Sequence, residues 1–146
     1  MQDPFNLQRF VAAQTESYEM ALSEIASGQK CSHWIWYIFP QITGLGQSET
    51  ARRYSIASLA EAKAYLAHPV LGPRLRTCLE TLQTLPESKT AEAVFGQLDA
   101  MKLRSSLNLF IAAGGGNLFQ QTLDRWFGSQ KDHRTLELLQ ASVLSR

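Results

Sequence analysis

Stop and start signals for helices recur along almost the whole chain, and no stretch alternates in the way a half-buried strand must. Asp3-Pro4 reads as a cap with proline at the first helical position, and Phe5, Phe10 and Val11 give that helix a partial apolar side. Tyr18, Ala21, Leu22 and Ile25 then recur at helical spacing, with Gly28 placed for a left-handed cap. Ser58-Leu59-Ala60-Glu61 has the form of a capping box and opens a helix to about Leu66, broken at His68-Pro69. Pro73 starts a longer helix in which Leu75, Cys78, Leu79 and Leu82 share a face, and Pro86 ends it.

Further along, Thr90 caps a short helix through Phe95, stopped by Gly96. Leu98 to Ala113 forms the next, stopped by Gly114-Gly115-Gly116. Asn117 caps a helix through Phe127, stopped by Gly128. Asp132 caps the last, with Leu136, Leu139 and Val143 on one side. The best strand candidate is Trp34 to Phe39, apolar at every period. A lone strand has nothing to pair with, so the segment reads as a short buried helix capped by Ser32 and ended by Pro40. The expectation is all-α: one compact domain over 1–146 with about seven to nine helices, counted from their caps.

Size and charge then narrow the function. A chain of 146 residues with 45% apolar content can bury a core without staples. Fourteen basic against 13 acidic residues, a net charge of +1, give no general field for nucleic acid, an anionic membrane or an acidic partner. A monomer is expected. No apolar run approaches a membrane span, and MQDPFNLQRF is no signal segment, so the expected address is the cytoplasm. Cys31 and Cys78 form no Cys-x-x-Cys pair, and His33, His68 and His133 stand far apart. No metal site and no cofactor are implied. No Ser-His-Asp order, paired-carboxylate motif or P-loop is present. Cys31 has Lys30 and His33 nearby, but the spacing supplies no base in the geometry a thiol nucleophile needs.

Two clusters mix core residues with polar ones. In HWIWYIFPQITGLGQ, the Trp, Ile and Phe residues read as packing, while His33, Gln41, Thr43 and the glycines do not. Gly44 and Gly46 lead into Ser48, an N-cap for a helix bearing Arg52 and Arg53. Such a loop can serve as a tight turn or as an anion site. It is not the dinucleotide fingerprint, which needs a third glycine and a preceding strand. In FGQLDAMKLRSSLNLF, a helical wheel puts Leu103, Leu107, Phe110 and Ile111 on one face. Asp99, Lys102 and Ser106 border it, and Arg104 and Asn108 flank the opposite edge. Serine and asparagine are poor choices for a helix interior, and a polar border on a core face suits a half-buried cleft.

GQKCSHWIWYIFPQITGLGQS, AYLAHPVLGPRL, FGQLDAMKLRSSLNLF and DHRTLELL, in that order, resemble the domain of unknown function 1810 family over nearly the whole chain. The family pattern Lys-x-x-His-Trp-x-Trp is filled by Lys30, His33, Trp34 and Trp36. Phe-Gly-x-x-Asp-x-x-Lys-x-x-Ser-Ser is filled by Phe95, Gly96, Asp99, Lys102, Ser105 and Ser106. Met-Thr-Leu-Phe often follows in the family, whereas this chain has Leu107 and Asn108, an amide in place of a hydroxyl. The resemblance implies a compact, mostly helical, bacterial-type domain. It does not imply calpastatin activity, a label sometimes attached to members. YLAHPVLGPRL is also similar to a short stretch of the NADAR family, which acts on ADP-ribose-linked and related N-glycosidic substrates.

Lys30, His33, Trp36, Gln41, Asp99, Lys102, Arg104, Ser105 and Ser106 are therefore the expected ligand-binding set. The first expectation is a polar cleft for a small anionic metabolite or nucleotide. An enzyme on nucleotide or ADP-ribose-type N-glycosidic bonds, with Asp99 as acid or base and Lys102 or Arg104 holding phosphate, is the alternative. A protein-interaction scaffold is the third; it would show a large exposed apolar patch instead of a closed cleft.

Overall fold

The computed structural model describes residues 3–144, with side chains as far as Ala141. Val143, expected on the apolar side of the last helix, lies outside the described side chains. Nine helices follow one another among the described residues, with no strand. They are α1 (Gln8–Ser27), α2 (Ile35–Ile38), α3 (Glu49–Arg53), α4 (Leu59–Ala67), α5 (Leu71–Gln83), α6 (Ala91–Phe95), α7 (Gln97–Ala112), α8 (Asn117–Phe127) and α9 (His133–Leu144). The chain is the all-α domain its punctuation indicates. None of these helices is long and apolar enough to cross a membrane.

Local chemistry accounts for most boundaries. Ser48, Ser58 and Thr90 each accept the third backbone N–H of the helix that follows, from Ala51, Glu61 and Ala93, all at 3.1 Å. Asp132 accepts the Thr135 N–H at the head of α9. Gly28 closes α1 in the left-handed conformation, where L side chains are strained. His68 uses Nδ1 to accept the N–H groups of Val70 and Leu71 at the entry to α5.

Several starts differ from the sequence reading; α5, for one, begins at Leu71, two residues before Pro73. Asp3 accepts the N–H groups of Leu7 and Gln8, so Pro4 stays in a turn and α1 begins four residues later than the proline suggests. Ser32 does not cap α2, which begins at Ile35 with Trp34 in the cap position; its hydroxyl donates to Glu24 instead. Asn117 is the first helical residue of α8 and makes no cap; Gly116 precedes it.

α7 is the axis of the domain. It packs against α2, α4, α6, α8 and α9, while α1 lies on α5 and α2. With so many neighbours it is buried nearly all round from Leu103 to Phe110, not on one face alone. Two of its polar interior residues bond to carbonyls of the helix itself. Ser105 donates to the Met101 carbonyl and Asn108 to the Arg104 carbonyl, each one turn back. Phe10, Tyr65, Phe110 and Phe119 stack in sequence through the core at centroid spacings of 5.3, 5.2 and 6.1 Å. Trp34, Phe39 and Phe95 make a second cluster beneath α2. Within the Trp34 to Phe39 segment, Trp36 and Tyr37 are only half-buried, so the segment is core on one side and surface on the other.

Candidate functional site

That surface side of α2 faces a stripe of α7. Leu98, Met101, Lys102 and Ser105 follow one another at helical spacing on α7 and look toward Trp36, Gln41 and the loop Leu45–Ser48. Asp132 and Arg134, at the start of α9, close the far side. Together they bound a cleft of about 490 Å³. A second cleft of about 500 Å³ adjoins it, lined by Lys30, His33, Ile35, Phe95, Gln97 and Asp99. Trp36, Leu98 and Lys102 belong to both and form the ridge between them. The loop glycine Gly46 is required for packing: a Cβ there would stand 2.3 Å from that of Ala51 on α3. A parallel pair of backbone bonds, Ile56 N–H to the Gln41 carbonyl and Thr43 N–H to the Ile56 carbonyl, pins both ends of the loop and α3.

The wall is charged in an ordered way. Asp99 takes the Lys30 ammonium on Oδ2 at 2.7 Å and the Lys102 ammonium on Oδ1 at 3.3 Å. Lys30 has a 6% exposed side chain and also donates to the Ser32 carbonyl and lies over the Trp34 ring. Its charge is buried and fully engaged, which is the condition for tolerating it there. Lys102 is the looser partner, 28% exposed and 4.5 Å above the Trp36 ring. Asp132 is likewise committed, to the Ser105 hydroxyl, the Thr135 N–H and hydroxyl, and the Arg104 guanidinium at 3.6 Å. Arg134 lines the first cleft, is exposed, and makes no ion pair among the described residues. Both Asp99 oxygens are thus engaged by ammonium groups.

The strand of chain that carries Lys30 and His33 is itself anchored. Glu24 on α1 accepts the Cys31 and Ser32 N–H groups, the Ser32 hydroxyl and the Trp34 indole N–H, at 2.7 to 3.0 Å. Burial works against the Glu24 charge, but these four donors outweigh it and hold the carboxyl at about 2, against an ordinary 4.5. The folded-state value is depressed, so this anchor contributes fully above pH 4.5 and is lost as pH falls through about 2. That shift corresponds to roughly 3 kcal/mol at face value, reduced to about 1–2 kcal/mol by solvent screening. Urea midpoints of wild type and Glu24→Gln are therefore expected to differ most at pH 6 and to converge toward pH 2. A gap that stays constant with pH would show that the charge contributes nothing.

Seven of the nine residues expected from sequence line the two clefts: Lys30, His33, Trp36, Gln41, Asp99, Lys102 and Ser105. Arg104 lies behind the first cleft and reaches it only through Asp132; its Nε is buried without a hydrogen-bond partner. Ser106 is 1% exposed, inside the bundle and off both walls. Asn108, the amide that departs from the family pattern, also lies off both walls. Arg134, Gln47, Leu98 and Met101 are wall residues that the sequence reading did not select. Arg134 could have been found, since it sits in the DHRTLELL motif two residues past an evident cap. Cys31 is exposed beside the Gln29 carbonyl, and burial pushes the Cys78 thiol up to about 12.

Fold and walls together define a small helical domain with a composite cleft rich in engaged charge. The chain belongs to the protein family of unknown function DUF1810, whose model matches residues 4–139. It is similar to the conserved hypothetical protein Rv1873 from Mycobacterium tuberculosis, known from a crystal structure at 1.38 Å, with 43% identity and a TM-score of 0.91. That similarity spans 94% of this chain and 99% of the other. No curated protein matches the chain.

Proposed function

We propose that the protein is a binding module for a small anionic metabolite, taken up in the cleft between Trp36, Lys102 and Arg134. One observation carries this reading. Of the five charged side chains on the walls of the two clefts, Arg134 alone has no opposite partner among the described residues, and it shares its cleft with the loosely held Lys102. An anion there gains a charge-assisted contact from Arg134 without first breaking an ion pair. Lys102 can turn toward it because Asp99 keeps its shorter bond to Lys30. The volume falls in the range of ordinary small-molecule sites, and Trp36, Leu45 and Met101 supply apolar wall beside the polar groups.

Thermal-shift screening against phosphorylated metabolites and nucleotides tests the reading. A ligand present at 100 times its Kd is expected to add about 2.7 kcal/mol of stability. Arg134→Ala and Lys102→Ala are expected to fold normally and to lose that shift. Lys63→Ala, which removes an exposed charge from α4 away from the clefts, is expected to keep it. If shifts survive in both cleft variants, the cleft is not where the anion binds.

A further inference from the structure

The two clefts differ in character although they share a ridge. The first carries Gln41, Gln47, Ser48, Lys102 and Arg134, so it offers amide, hydroxyl and cationic donors, and its one carboxylate, Asp132, is taken up by Arg104, Ser105 and Thr135. The second is walled mainly by Ile35, Trp36, Phe95 and Leu98, with its only charges in the closed Lys30–Asp99–Lys102 group. Leu98 stands on the ridge with 73% of its surface in water and Met101, one turn on, has 51%, so an exposed apolar pair borders the clefts. Lys102 is on the same ridge, held over the half-buried Trp36 ring. A ligand confined to the polar cleft would leave the apolar cleft wet. A ligand confined to the apolar cleft would leave Arg134 unpaired.

We infer that one ligand occupies both clefts, and that it is a phosphate monoester of a ring compound, of the nucleoside monophosphate class. This rests on the anion-binding reading above and adds the identity of the other end. The phosphate lies in the first cleft with Arg134 and Lys102, two cations for a group that carries close to two negative charges near neutral pH. The sugar crosses the ridge, and the base enters the second cleft against Trp36, Phe95 and Leu98. His33 and Gln97, at the rim of that cleft, can meet the polar edge of a base. A planar ring suits these walls because it buries a large area with little conformational freedom to lose.

Tryptophan fluorescence reads this directly. Trp34 and Trp126 are 1% and 8% exposed, so Trp36 is the tryptophan a ligand can reach. The probes are the four common ribonucleoside monophosphates, the matching nucleosides, ribose 5-phosphate and inorganic phosphate. They are titrated into wild type, Leu98→Ala and Arg134→Ala, with Trp36→Phe to confirm the source of the signal and calorimetry to measure affinity without it. At least one nucleoside monophosphate is expected to bind more tightly than ribose 5-phosphate and than its own nucleoside. Leu98→Ala is expected to weaken that nucleotide about tenfold and ribose 5-phosphate by clearly less, since only the sugar of the latter reaches the ridge. Arg134→Ala is expected to weaken both by about tenfold or more.

If inorganic phosphate or ribose 5-phosphate binds as tightly as every nucleotide and Leu98→Ala is silent, the two-cleft ligand is overturned while the anion site stands. If a nucleoside binds as tightly as its monophosphate and Arg134→Ala is silent, the anion site falls with it. Binding by none of the nucleotides overturns the inference, and the metabolite screen with the Arg134 and Lys102 variants then decides the anion site separately.

Discussion

Replacing Glu61 by alanine is expected to lower the unfolding free energy by about 3–5 kcal/mol, toward the lower end because its partner keeps some solvent contact. Glu61 is buried in α4, with a side chain 4% exposed, and meets Arg9 of α1 at 2.8 Å. Its other oxygen accepts the Ala57 N–H just before the helix. The Arg9 guanidinium uses every one of its donors. Nε donates to the Arg53 carbonyl, one terminal nitrogen to the Phe5 and Asn6 carbonyls, and the other to the Ser55 carbonyl and Glu61. The pair therefore ties the N-terminal turn, the end of α3 and the start of α4 to one point.

Removing the carboxylate leaves a largely buried cation without its counter-charge. Removing the arginine is expected to cost at least as much, since it strands the buried Glu61 and takes a donor from four backbone carbonyls. Arg9→Lys is expected to restore little, because an ammonium cannot reproduce the planar fork that reaches carbonyls on opposite sides. Denaturant midpoints of Glu61→Ala, Arg9→Ala and Arg9→Lys check this. A loss below about 1 kcal/mol for either alanine variant would place the network among exposed pairs of little consequence.

None of that network was legible in the sequence, and the reason is physical. Glu61 reads as the second half of a capping box, and Ser58 does cap α4 as that motif requires. The glutamate, however, reaches past the cap residue to Ala57 and then to an arginine 52 positions away. Caps at Ser48, Ser58, Thr90 and Asp132 were readable because the acceptor and the N–H it serves lie within three residues, so local sequence specifies them. Asn117 and Ser32 have the right chemistry for caps and do not perform it. In the case of Ser32, the helix starts at Ile35, too far on for its hydroxyl to serve, and Glu24 engages that hydroxyl from α1.

The same limit governs α7. Its period announces a helix with one apolar face, but five neighbouring helices bury its serines and Asn108 as well. The sequence could not show how many neighbours a helix has. It did show which residues border the core. Lys30, His33 and Asp99 converge from segments nearly 70 residues apart because Asp99 is the counter-charge Lys30 needs once it is buried. Polar residues in apolar company were the readable sign. Arg134 carries no such sign and is marked only by its place in the DHRTLELL motif, two residues past a cap.

Trp34→Ala and Trp36→Ala are expected to separate by about 2 kcal/mol or more, although the two residues share one motif. Trp34 is 1% exposed, packs edge-on against Phe95 at 6.3 Å and against Phe39, and donates its indole N–H to Glu24 at 2.8 Å. Truncation removes that packing, opens a cavity in the cluster beneath α2 and takes one donor from Glu24. A cost of about 3–5 kcal/mol follows. A single-residue reading of the motif assigns the same penalty to Trp36, as an aromatic in an apolar run. In the folded protein Trp36 is half-buried on the ridge between the clefts, with Lys102 above its ring. Its loss removes partial apolar contact and one cation–π contact, which together come to about 1–2 kcal/mol.

Trp36→Ala is therefore expected to remain folded at room temperature, with helical circular dichroism close to wild type and a modestly lower denaturant midpoint. It is expected to lose binding of any ligand that gives a thermal shift in the wild type. Trp34→Ala is expected to lose cooperativity or fall sharply in midpoint whether or not ligand is present. Equal destabilisation by the two substitutions would place Trp36 in the core after all and remove the aromatic wall from the site. Retention of ligand by Trp36→Ala at unchanged affinity would move the site off the ridge, since Trp36 and Lys102 cannot both border an occupied cleft and both be irrelevant to what fills it.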